Sequence, residues 1–587
     1  MQKSWQDELK QLCDDYWQWV LEHNPLEATY LGDRRYDHAL PELGAAARKS
    51  SLKALQRFME RLQELEVSVM GNRPEQRSDQ EMQDTITLDT LRLVLSDDMD
   101  ELNYGFHQWA IDQLFGPQVR LLELPNYHPL GDEKGWKDLV ARYRAVPAFI
   151  EQYLEDLSEG IRDGNTAPEV AVKRVISQLE DILKTSADKS PLLPPASKIP
   201  DGVDPALREM VQATISTEVY PAFRKLLLFL KGGADVTVAP GDNFRTKPYP
   251  ARHHTGLRGQ PNGDEAYKYR IRKHTTTHLG AMQIHQIGIE LLQDIHAEMF
   301  EIARELGHDG ELSEFRDKIK SDPANFLQTR EQLLEGYRAL VAEVEALLPQ
   351  YFGRLPAVGV EVKPIEEFRE KDSVAAYYYS PPDDFSRPGI YYANTYQPET
   401  RPRYNMAALT VHEAVPGHHL QIALGLEQRD LPAFRRHAGF TAYVEGWALY
   451  CERLAVEMGV YKDPLSRFGM LTYQAWRAAR LVVDSGIHAL GWSRDKAIEF
   501  FVDNVGLPEG EVANEVDRYI IWPGQALAYA MGMRQILRLR QKAEAELGDA
   551  FDLRAFHDEV LRFGALPLSI LDKIIERFIE THRGALA

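Results

Sequence analysis

Two cysteines, Cys13 and Cys451, are all that the 587 residues contain, which excludes a disulfide framework and a cysteine-rich metal site and leaves both as reduced packing residues. Basic charge is also scarce. Sixty-eight Lys and Arg face 89 Asp and Glu for a formal net charge of −21, which disfavours nucleic acid or an anionic membrane as partner, and no basic stripe offsets the deficit. No run approaches the roughly 18 apolar residues of a membrane span. The N-terminal MQKSWQDELKQLCDDYWQWV reads as a charged amphipathic helix without the apolar core of a signal peptide, so the chain is expected in the cytoplasm. Internal repeats and low-complexity tracts are missing as well.

What remains is overwhelmingly helical. Ser51–Val67, Asp84–Leu95, Val170–Thr185 and Arg330–Leu348 place apolar residues three and four apart with charges between, the stripe of a helix that covers a core. Trp17, Trp19 and Trp109 fall within such patterns and read as packing. The prolines of Lys189–Pro205 mark a loop between long helices, and a Gly- and Pro-rich stretch from Gly232 to Asp264 marks a boundary. The expected organisation is an N-terminal helical lobe, 1–235, and a catalytic lobe, 236–587, or one continuous domain over 1–587. Two short aromatic segments, Ala375–Ser380 and Gly389–Thr395, suit strands. The fold class is therefore mainly α, a large helical body with a small β-hairpin or edge sheet beside an active-site helix.

The ten residues His412–Gln421, HEAVPGHHLQ, carry the chemistry. Two imidazoles about a helical turn apart, with a glutamate beside the first, are what a metal needs to activate water for attack on an amide. In the H-E-x-x-H pattern the second histidine comes four residues after the first; here Pro416 holds that position. Pro416 removes a backbone donor and Gly417 tolerates unusual dihedrals, so a helix bulging at Pro-Gly brings His418 under His412. In a straight helix His419 lies nearly two turns away, about 10 Å, too far for one zinc. His418 is the expected ligand. The third ligand is expected from the helical segment Thr441–Met458, where Glu445 stands near the start and leaves a fourth position open for water. Glu452, two turns on, either orients a ligand histidine or is solvated.

HEAVPGHHLQ, the EGWALY string at Glu445–Tyr450, RLVVDSGIHALGWS at Arg480–Ser493 and PGQALAYAMG at Pro523–Gly532 together resemble the bacterial domain-of-unknown-function family 885. The likeness extends upstream to the blocks Pro261–Ile289 and Asn24–Leu40, and so covers nearly the whole chain. The resemblance implies a helical zinc metallopeptidase of the gluzincin type and little about substrate. In such an architecture an edge strand beside the metal helix pairs with extended substrate; the alternative is a structural hairpin with stacked tyrosines.

The resulting expectation is a zinc-dependent metallopeptidase of short peptides. His412, His418 and Glu445 hold one zinc per chain, and Glu413 takes the proton from water and passes it to the leaving amine. Tyr529 and His488 are candidate donors to the developing oxyanion, with Asp484 one turn before His488 able to fix its tautomer; the same residues also fit a buried polar network. Asn394, Arg480 and His419 are expected to face substrate. His274 and His278, spaced by four but without a following glutamate, read as loop or channel residues. His253 and His254 sit in a loop. Two alternatives keep the same residues: hydrolysis of a non-peptide amide, and a non-catalytic peptide-binding protein on a peptidase scaffold, which would have no need of Glu413. The sequence fixes neither oligomeric state nor the choice between exopeptidase and oligopeptidase.

Overall fold

Apolar stripes of three- and four-residue spacing become long helices in the computed structural model, which describes residues 4–70, 79–232, 247–367 and 370–584. The segments read from periodicity lie in helices Gly44–Met70, Asp79–Asn103, Glu169–Lys184 and Arg330–Tyr351. The chain is mainly α-helical with one three-stranded sheet. It divides into two compact units, one of 1–77, 91–255 and 259–263, the other of 78–90, 256–258 and 264–587.

In the first unit, helix Trp5–His23 opens on a capping box in which Ser4 and Asp7 satisfy each other's backbone donors, and it buries Leu9, Leu12, Cys13 and Tyr16. Trp19 packs on Tyr16 and Phe58, and Trp109 is buried against Phe106. The Asn24–Leu40 block has a structural cause: the buried Arg142 guanidinium donates to the Tyr36 and Ala39 carbonyls and to Thr29 Oγ1. The break between units falls at 255–264 rather than 235/236, because segment 247–255 is knitted onto the first unit. Tyr249 Oη accepts from Ala167 N, Arg252 N donates to Ala167 O, and the Arg252 guanidinium donates to Thr166 O. Residues 233–246 of the expected boundary lie outside the described residues. His253 pairs with Glu169 at 3.0 Å.

The second unit is built on helix Pro464–His488, whose residues from Phe468 onward are almost all buried. A helix buried on nearly every side belongs inside a core, and this one carries its polar residues inward as well; it lies along Ala281–Glu305, where Gly288 lets Leu481 and Val482 approach. A second close crossing joins Thr441–Glu457 to Ala528–Leu547. A Cβ on Gly446 would lie 2.4 Å from Gly532 Cα, and one on Gly532 would lie 1.7 Å from Ala442 O. The glycines of EGWALY and AYAMG thus set one helix directly on the other.

Strands β1 (Val360–Pro364), β2 (Ala376–Tyr379) and β3 (Gly389–Ala393) order as β1-β3-β2. β2 and β3 form the expected antiparallel pair, with Tyr377 stacked on Tyr392 at 5.0 Å. β1, VEVKP, was not apparent from the sequence; it adds in parallel and makes β3 the central strand. Tyr391 packs inward on Tyr337 and Tyr378 against His419, so stacked tyrosines are a structural feature of this sheet.

Candidate metal centre

The first histidine ends helix Met406–Glu413 and the second begins helix His418–Glu427. The expected bulge in one helix is instead a break between two. Ala414 leaves the helical region, the Val415–Pro416 peptide is cis, and the chain returns so closely that Gly417 N donates to Val411 O at 3.0 Å. Only glycine fits there, since a Cβ would lie 2.0 Å from His412 O and 2.3 Å from Val411 O. Pro416 has no N–H to lose, and its carbonyl accepts from Trp447 Nε1 at 2.9 Å and Cys451 Sγ at 3.5 Å. The turn brings the His412 and His418 rings to 4.8 Å, nearly perpendicular.

Glu445, one residue before the Gly446 crossing, completes the group. Its Oε2 lies 3.5 Å from both His412 Nε2 and His418 Nε2, and the three ligand atoms all fall within 4.8 Å of one another. Charged N–H···O bonds run to about 2.7–2.9 Å, so 3.5 Å is long for a proton. It is close to the roughly 3.4 Å edge of a tetrahedron of donors about 2.1 Å from zinc. The donor set therefore fits zinc. Behind it, His412 Nδ1–H donates to Glu452 Oε1 at 2.8 Å, and Glu452 Oε2 accepts from Gln474 Nε2 at 3.0 Å. Glu452 is 1% exposed, so it orients the histidine rather than sitting in solvent, the buried carboxylate that fixes a ligand imidazole.

Electrostatics follow this placement. Burial works against a charged His412, but the Glu445 and Glu452 carboxylates outweigh it and raise its pKa to about 9. Burial would raise Glu445, yet His418 and His412 hold it well below the ordinary carboxylate value. Glu413 goes the other way: burial raises it above the ordinary value despite the two imidazoles. The site is not sealed, since the Glu445 side chain is 20% exposed and that of His418 11%.

The other expected site residues separate into two groups. Tyr529 stands on the first turn of Ala528–Leu547, three residues before the glycine crossing, with its ring 4.5 Å from the Arg480 guanidinium; burial and the Glu445 charge both raise its pKa. Arg480 donates from Nε to Tyr519 Oη at 2.9 Å and from Nη2 to Glu515 at 3.2 Å, which holds its guanidinium against Tyr529 and leaves Nη1 unpartnered. His488 is fully buried; Nδ1 accepts from Leu257 N and Nε2–H donates to Tyr519 O. No ring nitrogen is left for an oxyanion. Asp484 does not touch it, accepting instead from Tyr267 Oη and Gly524 N, with burial raising its pKa to about 7. His419 takes the Tyr378 hydroxyl on Nδ1 and donates from Nε2 to Val358 O, and burial lowers its pKa to about 4; it ties the sheet to the metal helix. Asn394 is fully buried, its amide donating to Glu370, Ser373 and Val374 carbonyls. Gln474 and Arg477, which the sequence did not single out, do belong to the site's surroundings; only their i, i+3 spacing with Arg480 on one helix marked them.

Comparison with known proteins follows the fold. The chain belongs to the family described as bacterial protein of unknown function (DUF885), whose model matches residues 25–575. It is similar to a structure described as a putative lipoprotein from Colwellia psychrerythraea, 28% identical, with a TM-score of 0.89 over 98% of this chain and 100% of that one. It also shares its fold with a putative lipoprotein of unknown function from Shewanella oneidensis, 20% identical, with a TM-score of 0.72 over 98% of this chain and 100% of that one. No curated protein matches it.

Proposed function

Taking family membership and site geometry together, we propose that the chain is a zinc-dependent peptidase of short peptides. The observation that carries the reading is the convergence of His412, His418 and Glu445 on one point, with His412 locked from behind by a buried carboxylate. Zinc held by these three supplies Lewis-acid polarisation of a carbonyl and acidifies a water in its open position. Glu413, next to the first ligand and raised in pKa, takes the proton from the attacking water and returns it to the leaving amine. Tyr529 donates its hydroxyl to the carbonyl oxygen as negative charge grows there. Within the sheet β2 is an outer strand, the kind of position at which an extended peptide adds to a sheet.

Elemental analysis of purified protein, followed by cleavage of a peptide library read by mass spectrometry, tests this. One zinc per chain and cleavage that disappears in Glu413→Gln are expected. Zinc without cleavage of any peptide would reject the peptidase reading, and cleavage of non-peptide amides alone would move the activity to that class. The compartment belongs to the same proposal. No helix among the described residues is long and apolar enough to cross a membrane, and neither cysteine is in a disulfide, which fits the cytoplasm; the relatives described as lipoproteins make cell fractionation the deciding measurement.

A further inference from the structure

Helix Pro464–His488 passes the metal centre with three polar residues one turn apart on one face. Gln474 ends on Glu452, which holds His412. Arg480 ends on the Tyr529 ring. Between them stands Arg477, and unlike its neighbours it has nothing to end on. It is 8% exposed, its Nε is buried without a partner, and its one hydrogen bond is a 3.5 Å contact from Nη1 to the Tyr473 carbonyl of its own helix. No ion pair to it exists among the described residues. The rings of Tyr473 and Trp476, 5.0 and 5.1 Å away, hold the guanidinium in place. Arg480 Nη1, one turn on, is also buried and unpartnered, although Arg480 has Glu515.

A buried guanidinium without a carboxylate is costly. Elsewhere in this unit the chain supplies one, as Asp517 does for Arg494 and Glu515 for Arg480. Arginine is the side chain best shaped to receive a carboxylate on two parallel N–H bonds. Gln474, one turn before it, ends on the carboxylate that holds His412, and Arg480, one turn after it, lies against Tyr529, so Arg477 stands on the stretch of helix that passes the candidate metal centre. Resting on the peptidase reading, we propose that Arg477 receives a carboxylate of the substrate, so that the enzyme selects short peptides bearing a free C-terminal or side-chain carboxylate near the bond it cleaves.

The test reads binding, so it does not depend on turnover. Acetyl-trialanine as free acid and as C-terminal amide, and the amides of acetyl-Ala-Glu-Ala and acetyl-Ala-Gln-Ala, are titrated calorimetrically into metal-loaded Glu413→Gln protein. One of the two carboxylates should tighten binding by on the order of 10²-fold or more, since a site built for a polar group rejects the analogue lacking it; which pair differs tells the terminal from the side-chain source. Arg477→Met should erase the difference and Arg477→Lys keep part of it, both with unchanged zinc content and with melting curves that show a folded chain. The wild-type background comparison stands even if Arg477→Met does not fold. Equal affinity for acid and amide in both pairs would overturn the proposal, as would a preference that survives Arg477→Met. Cleavage of peptides without any carboxylate preference sinks this inference alone; carboxylate preference without cleavage sinks the peptidase reading alone.

Discussion

Two clusters among the described residues put histidine and carboxylate groups within reach of one point: two histidines and one carboxylate, His412, His418 and Glu445, in one unit, and one histidine with two carboxylates, His107, Asp156 and Glu159, in the other. The residue types are alike and the outcomes opposite. In the second cluster Arg48 donates to both Asp156 and Glu159, and Gln108 adds a bond to Glu159 at 3.1 Å. The cation is already part of the chain. Burial and then the Arg48 charge push His107 below its ordinary pKa. Among the described residues no Arg or Lys is paired with the first cluster; two imidazoles face one carboxylate at 3.5 Å, and the Glu445 and Glu452 carboxylates raise His412 to about 9. A group of acids and histidines thus points to a metal only where the chain has not supplied the positive charge itself.

Metal content should separate the two clusters most sharply. Glu445→Ala or His412→Ala is expected to strip most of the zinc, because each removes one of three ligands, whereas His107→Ala and Glu159→Gln should leave it unchanged; elemental analysis of the four variants checks this. Zinc lost from the His107 variants would break the contrast. Next in size is Glu413→Gln, which removes no ligand: zinc stays and hydrolysis falls by roughly 10²- to 10⁴-fold. Tyr529→Phe should lower kcat by on the order of 10²-fold with little change in KM. His488→Ala, by contrast, should show up as a lower melting temperature, since both its nitrogens serve the backbone.

The smallest effect concerns protons. His107 has a folded-state pKa below its unfolded value, so it contributes stability at neutral pH that is lost as pH falls below about 6.5. Arg48→Met takes away a positive neighbour and should move the His107 titration upward, as read by NMR. A midpoint that stays in place would show that burial alone sets it.

Much of the candidate site could be read from residues, because its ligands lie in strings whose spacing has geometric meaning. His412 and Glu413 adjoin, Pro416-Gly417 marks an irregularity that reads as a bulge and is in fact a break between two helices, and Glu445 sits on a helical stripe with its packing glycine beside it. His488, Asp484, His419 and Asn394 have the right chemistry to be catalytic and are not placed for it. Their partners include Tyr519 O, Gly524 N, Val358 O and Glu370 O, backbone groups that every residue possesses, and the hydroxyls of Tyr267 and Tyr378 from distant segments, so no local spacing marks them. Gln474 went unnoticed for a related reason, its bond to Glu452 being made across two helices. The fold was legible where periodicity spoke, in the long helices, and less so for β1, whose first four residues alternate Val and charge before Pro364 and which pairs in parallel with a strand some way along the chain.

The break at Pro416 and Gly417 brings His418, and not the adjacent His419, to His412 and Glu445, which on the proposed reading makes it the second ligand, and zinc analysis of His418→Ala beside His419→Ala tests this directly. Zinc should be lost from the first variant and retained at one per chain in the second, which loses only the Tyr378 and Val358 bonds. Full zinc in His418→Ala, or its loss from His419→Ala in a protein that still folds, would contradict the account.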